Sequence, residues 1–174
     1  MSCHDARMLT AAAGDHVVAL IATWAIIAPA ALVIIAIVAS ARRGAAILEA
    51  VLGGAITVLL VKIAALLYAH PRPFVVHHVL PLVAHAADNA FPSDHAAAAG
   101  LAVAFLWTRS RALAGLALLF TLAIDAARVA AQLHWPLDVI AGTSVGIGGG
   151  FIGIALVRIA ASRTFRKSNT RLAG

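Results

Sequence analysis

The chain has 174 residues, of which 63% are hydrophobic and only 11% charged, with a mean hydropathy of +0.98. A soluble domain carries about 25% charged residues, so a water-soluble globular protein is excluded and a single helical membrane domain over residues 1–174 is predicted. The net charge of +6 sits at the ends of apolar runs and in the tail rather than on one basic face, which fits membrane topology and argues against nucleic acid as a partner.

In chain order, residues 1–16 read as a polar N-terminal segment with Asp5, Arg7 and Asp15, followed by an apolar run over 17–40. Ala28-Pro29-Ala30 loosely resembles a signal cleavage site, but the run continues to Ala39, a length that favours an uncleaved first span. Arg42 and Arg43 separate it from a second span over 45–69, and a loop fills 70–92. The third span, 93–108, is about 24 Å long at about 1.5 Å per residue, short for a hydrocarbon core of about 30 Å. Its N-terminal end is therefore expected below the membrane surface, within reach of a lipid headgroup. Thr108-Arg109-Ser110-Arg111 leads into a fourth span over 111–131, a turn follows, and a fifth span over 137–160 ends in a basic tail, 161–174. The expected fold is an all-α bundle of about five transmembrane helices. Cys3 is the sole cysteine, so the chain has no internal disulfide.

With five spans, Arg42-Arg43, Arg109-Arg111 and the tail fall on one side of the membrane. Positive charge marks the cytoplasmic side, so the N-terminus is expected outside and the C-terminus in the cytoplasm of a bacterial plasma membrane. Three polar clusters then share the extracytoplasmic side: Pro71-Arg72-Pro73, Pro92-Ser93-Asp94-His95, and Arg128 with His134 and Asp138.

Each cluster has a chemical reading and a plainer one. Pro92 stops what precedes it, and Ser93 or Asp94 caps the helix that follows. The exposed amides of that helix start suit a phosphate, and His95 in the first turn can protonate a leaving oxygen. The plainer role is an ordinary cap beside a wetted histidine. Asp138 can hydrogen-bond one nitrogen of His134 and leave the other as a nucleophile, or the pair can form an interfacial cap with Trp135 as anchor. Arg72, stiffened by two prolines, suits bidentate phosphate recognition or snorkelling to the interface. Arg128 adds a second guanidinium. Three separate coincidences on one side are harder to accept than one phosphate-handling site.

These clusters resemble the three signature motifs of the type 2 phosphatidic acid phosphatase superfamily: Lys-x6-Arg-Pro, Pro-Ser-Gly-His and Ser-Arg-x5-His-x3-Asp. Within it, the stretch from Pro71-Arg72-Pro73-Phe74 to Phe91-Pro92-Ser93-Asp94-His95 is similar to bacterial undecaprenyl pyrophosphate phosphatases of the bacitracin-resistance type. The resemblance covers about residues 45–155. It implies His134 as nucleophile forming a phosphohistidine, Asp138 as its orienting group, and His95 as proton donor. It also implies Arg72, Arg128 and Ser93, with the amides of the 93–95 turn, as ligands of the phosphoryl oxygens. The implied activity is metal-free and cofactor-free hydrolysis of a polyisoprenyl pyrophosphate to its monophosphate. A broader lipid phosphatase acting on phosphatidic acid or phosphatidylglycerol phosphate, and a non-enzymatic anionic-lipid binder or transporter, remain open alternatives.

The chain departs from the motifs at three places. Ala65 stands where the motif has lysine, and Lys62, three residues earlier, either reaches a distal phosphate or snorkels. Ala127 replaces the serine before Arg128, and Asp94 replaces glycine, placing a carboxylate beside an anion site. His77, His78, His85, Asp88 and Asn89 populate the 70–92 loop, which either covers the site or selects headgroups. Their spacing does not suggest a metal site, so the histidines are expected to be solvated. His70 is placed at the interface, Asp125 is expected to pair with Lys62 or Arg128 or to line the route to the site, and Gly142, Gly146 and Gly150 read as a helix-packing stripe.

Overall fold

A computed structural model describes the backbone of residues 3–172 and the side chains of residues 12–163. Among the described residues, seven helices follow one another: α1 (Cys3–Trp24), α2 (Ile27–Val38), α3 (Arg43–Leu67), α4 (Pro73–Val76), α5 (Asp94–Trp107), α6 (Arg111–Ala130) and α7 (Pro136–Leu172). Among the described residues, four stretches are long and apolar enough to cross a membrane: Ala12–Val38, Arg43–Leu67, Arg111–Ala130 and Pro136–Arg163. The shorter α5 is the fifth apolar helix. The expected all-α membrane bundle is what forms, with the first span starting earlier and the last running on through the tail region as helix. The side chains beyond 163, and those of most of the 1–16 segment, lie outside the described residues.

The first span is broken between α1 and α2. Pro29 has no N–H to donate, and the Ala25 carbonyl that would have received it bonds instead to the Ala28 N–H at 3.1 Å.

α5 forms the centre of the bundle and packs against α7, α6, α2 and α3. Nearly its whole circumference is buried, including Ala96, Ala97, Ala99, Gly100, Ala102 and Leu106, as expected of a helix that is apolar all round. Most of those side chains are methyl groups or hydrogen, so neighbouring backbones approach closely. The glycine stripe on α7 supplies the complementary surface. A Cβ at Gly146 would collide with the Ala97 carbonyl, and one at Gly142 with the Ser93 carbonyl. Large apolar side chains such as Leu20, Ile34, Val51, Leu119 and Ile140 face outward instead, which is the arrangement a hydrocarbon solvent favours.

One end of the bundle is tied by an ion-pair cluster that the sequence reading did not anticipate. Glu49 on α3 is buried and accepts from Arg109 Nη2 and, at 3.0 Å, from Arg158 Nε on α7. Arg109 also donates to the Phe105 carbonyl at 2.8 Å and lies over the Phe105 ring. Sequence alone assigned these arginines to membrane topology. The fold also makes them a clasp joining α3, the α5–α6 connection and α7.

Candidate active site

The three polar clusters meet at the other end, around a cavity of about 330 Å³ lined by Lys62, Arg72, Asp94, His95, Arg128 and His134 together with His85, Asp88 and Asn89. Arg72 is the residue before α4. Pro73 occupies the first position of that short helix, and the Phe74 N–H donates to the Gln132 carbonyl at 3.1 Å, pinning α4 to the α6–α7 turn. The Arg72 guanidinium then reaches four groups. Nε donates to Asp88 Oδ1 at 2.8 Å, Nη1 to the Leu133 carbonyl at 2.9 Å and towards His134 Nε2 at 3.3 Å, and Nη2 to the Asn89 carbonyl at 3.4 Å.

The second cluster builds the start of α5. Ser93 is wholly buried in an extended conformation, and its Oγ accepts from the Ala96 N–H at 3.4 Å, making it the N-cap. Its own N–H donates to the Asp138 carbonyl at 3.0 Å, so the two motifs are joined through backbone. The amides of Asp94 and His95 have no acceptor within the helix and belong to the turn that carries both side chains to the cavity.

The third cluster holds the reactive geometry. His134 is buried, and its Nδ1 lies 2.8 Å from the Ala90 carbonyl, an obligate acceptor, so Nδ1 carries the proton. Its Nε2 lies 3.1 Å from Arg128 Nη2 and 3.3 Å from Arg72 Nη1, both obligate donors, so Nε2 keeps its lone pair. Burial first, then the charges of Arg128 and Arg72, push the imidazole from 6.5 down to about 3. His134 is therefore a neutral imidazole with its unprotonated nitrogen held between two guanidinium groups at the cavity wall. Arg128 also donates to the Ala22 carbonyl at 3.1 Å, and its Nε is buried without a partner.

Asp138 differs from the expected arrangement. It does not hydrogen-bond His134, lying 3.8 Å from Nδ1. One of its oxygens accepts from the Trp135 N–H at 2.8 Å, and the other pairs with His70 Nδ1 at 3.0 Å. The orienting bond to His134 comes from Ala90, a backbone carbonyl that no side-chain motif could reveal. The pairing expected of Asp125 is also corrected. Its Oδ2 accepts from Thr143 Oγ1 at 2.8 Å rather than pairing with Lys62 or Arg128.

The loop histidines divide. His77 lies 2.7 Å from Gln132 Oε1, whereas His85 lines the cavity and stays exposed, in keeping with the solvated role expected for it. Partial desolvation and the neighbouring Arg72 lower its pKa. Asn89 is structurally central: its Oδ1 accepts from the His70 N–H at 2.9 Å and the Phe91 N–H at 3.1 Å, and its Nδ2 donates to the Ala65 and Tyr68 carbonyls. It ties the end of α3 to the loop that carries Ala90. Lys62 reaches the cavity from α3, so the lysine displaced from the motif position still faces the site. Against three cations stand two carboxylates, Asp88 and Asp94, which leaves a positive field suited to an oxyanion.

Known proteins share sequence and fold with this chain. The chain is 40% identical over 88 residues to the undecaprenyl-diphosphatase BcrC of Bacillus subtilis, covering 50% of this chain and 45% of that protein. It is 37% identical over 84 residues to the putative undecaprenyl-diphosphatase YbjG of Escherichia coli, covering 48% of this chain and 42% of that protein. The chain thus spans about half the length of the curated relatives it matches. The crystal structure of Aquifex aeolicus LpxE superposes with a TM-score of 0.64 at 23% identity, over 82% of this chain and 84% of that one, which shows a shared fold. The family model of the PAP2 superfamily matches residues 46–163, a stretch that contains all three clusters, and the chain belongs to that superfamily.

Proposed function

We propose that the protein hydrolyses undecaprenyl pyrophosphate to undecaprenyl phosphate and inorganic phosphate through a phosphohistidine on His134. The observation that carries this reading is the fixed tautomer of His134, neutral, with the Nε2 lone pair directed between Arg72 and Arg128. The names of the two curated relatives support the choice of lipid.

In the first step Nε2 attacks the terminal phosphorus and the bond to the bridging oxygen breaks. His95, an imidazolium beside the bound pyrophosphate, gives its proton to the departing lipid monophosphate and becomes neutral. As the phosphoryl group arrives, the two arginines exchange their contact with Nε2 for the phosphoryl oxygens, which places preorganised charge where the transition state needs it. The phosphorylated ring becomes cationic and retains its Nδ1 proton on Ala90, with the Asp138 carboxylate 3.8 Å away to offset the charge. In the second step His95 takes a proton from water, which attacks phosphorus, and the P–N bond breaks to release phosphate. Lys62 and the amides of the α5 start supply further donors, and Asp88 holds Arg72 in place.

The reaction is assigned to the extracytoplasmic face. Arg42, Arg109 and Arg158 gather around the far end of the bundle, and positive charge marks the cytoplasmic side.

The test is phosphate release from undecaprenyl pyrophosphate, phosphatidic acid and phosphatidylglycerol phosphate, measured side by side with the native protein and His134→Ala. Preferred turnover of the pyrophosphate, acid-labile label on His134, and loss of both in the variant are expected. Near-normal rates in His134→Ala would remove the nucleophile assignment. A preference for phosphatidic acid would replace the substrate.

A further inference from the structure

We propose that His70 is a positioning residue for the nucleophile, acting from outside the cavity through both its side chain and its backbone. The proposal rests on the reading of His134 as nucleophile. His70 lies two residues before Arg72 and does not line the cavity, yet it connects to each of the two groups that flank the His134 ring.

The first connection is the side chain. Asp138 is completely buried, and its two oxygens are divided between the Trp135 N–H and His70 Nδ1, at 2.8 Å and 3.0 Å. A carboxylate only accepts, so Nδ1 of His70 is the donor. While both oxygens are held, the carboxylate stays 3.8 Å from His134 Nδ1 and leaves that proton to the Ala90 carbonyl. The second connection is the backbone. The His70 carbonyl accepts from the Ala90 N–H at 2.8 Å, and Ala90 in turn accepts from His134 Nδ1 at 2.8 Å.

The His70 ring is itself fixed. It stacks on Trp135 with centroids 5.5 Å apart and meets Tyr68 at 5.4 Å. Removing its donor would leave a buried carboxylate oxygen without a partner. The nearest relief is rotation of Asp138 towards His134 Nδ1, which would draw the ring away from Ala90 and move Nε2 off the line of attack. Such a misplacement affects the chemical step far more than lipid binding, because the phosphate ligands Arg72 and Arg128 are untouched. A misaligned reacting atom costs about 10- to 100-fold in rate.

The experiment uses the full chain in detergent or nanodiscs with undecaprenyl pyrophosphate. His70→Phe keeps an aromatic ring against Trp135 and removes the donor, whereas His70→Asn restores an amide donor near the position of Nδ1. The expected result is a kcat about 10- to 100-fold lower in His70→Phe with KM within about twofold, and recovery to within about threefold of native in His70→Asn. In the Asp138→Asn background, His70→Phe should add little further loss, since the two residues act as one unit. An unchanged kcat in His70→Phe, a loss confined to KM, or equal losses in His70→Phe and His70→Asn would each overturn the proposal. Full additivity with Asp138→Asn would do the same. If instead His134→Ala keeps turnover, the nucleophile assignment fails, and that result is separate from any outcome at His70.

Discussion

The protonation state of His134 gives the sharpest test of the site. An ordinary imidazole with a pKa of 6.5 would be about 3% neutral at pH 5, whereas one pushed down to about 3 would be about 99% neutral. His134 should therefore show no loss of its neutral form between pH 7.5 and pH 5, where an ordinary histidine would lose roughly 30-fold. The assay is the ¹⁵N shift of His134 in histidine-labelled protein, assigned by comparison with His134→Gln, and titrated from pH 8 to pH 4. Arg128→Gln removes a guanidinium 3.1 Å from Nε2 and should move the midpoint upward. The same shift links to stability. The folded value lies below the unfolded one, so the unfolded chain takes up the proton first. Stability from this group is complete above about pH 6.5 and falls as pH drops towards about 3. A midpoint near 6.5 in the native protein would refute the assignment of a buried imidazole held between two cations.

Gly142→Ala should lower both stability, by about 1–3 kcal/mol, and kcat, because its Cβ meets the Ser93 carbonyl at the start of α5; thermal unfolding and phosphate release measure the two effects. Glu49→Gln should lower Tm with kcat within about twofold of native. It loosens Arg109 and Arg158 about 20 Å along α3 from Lys62. Turnover is expected to persist in excess chelator, since Arg72, Arg128 and Lys62 supply the positive field; activity restored only by a divalent ion would contradict this.

Much of the architecture is written in the chain itself. Apolar runs set the helices, because backbone amides in hydrocarbon must bond within their own segment. Arg72, Ser93, His95, Arg128 and His134 could be picked out as candidates because each lies in a short motif with a defined local structure: a proline-stiffened arginine, a helix cap, a turn. Gly142 and Gly146 were readable for a similar reason, as a repeat at helical spacing. Tertiary structure alone decided how these pieces are held. Asp138 turns to His70 rather than His134, Ala90 takes the His134 proton through a backbone carbonyl, Asn89 stitches α3 to the loop, and Glu49 clasps the opposite end. The physical reason is common to all four. Their partners are remote in sequence, such as Ala90 and His134, 44 positions apart, and two of the key acceptors are backbone oxygens present at every position. Which carbonyl meets which donor is settled only when α5 seats against α7. The same chain that marks its candidate phosphate ligands locally thus leaves the orientation of His134 to long-range packing.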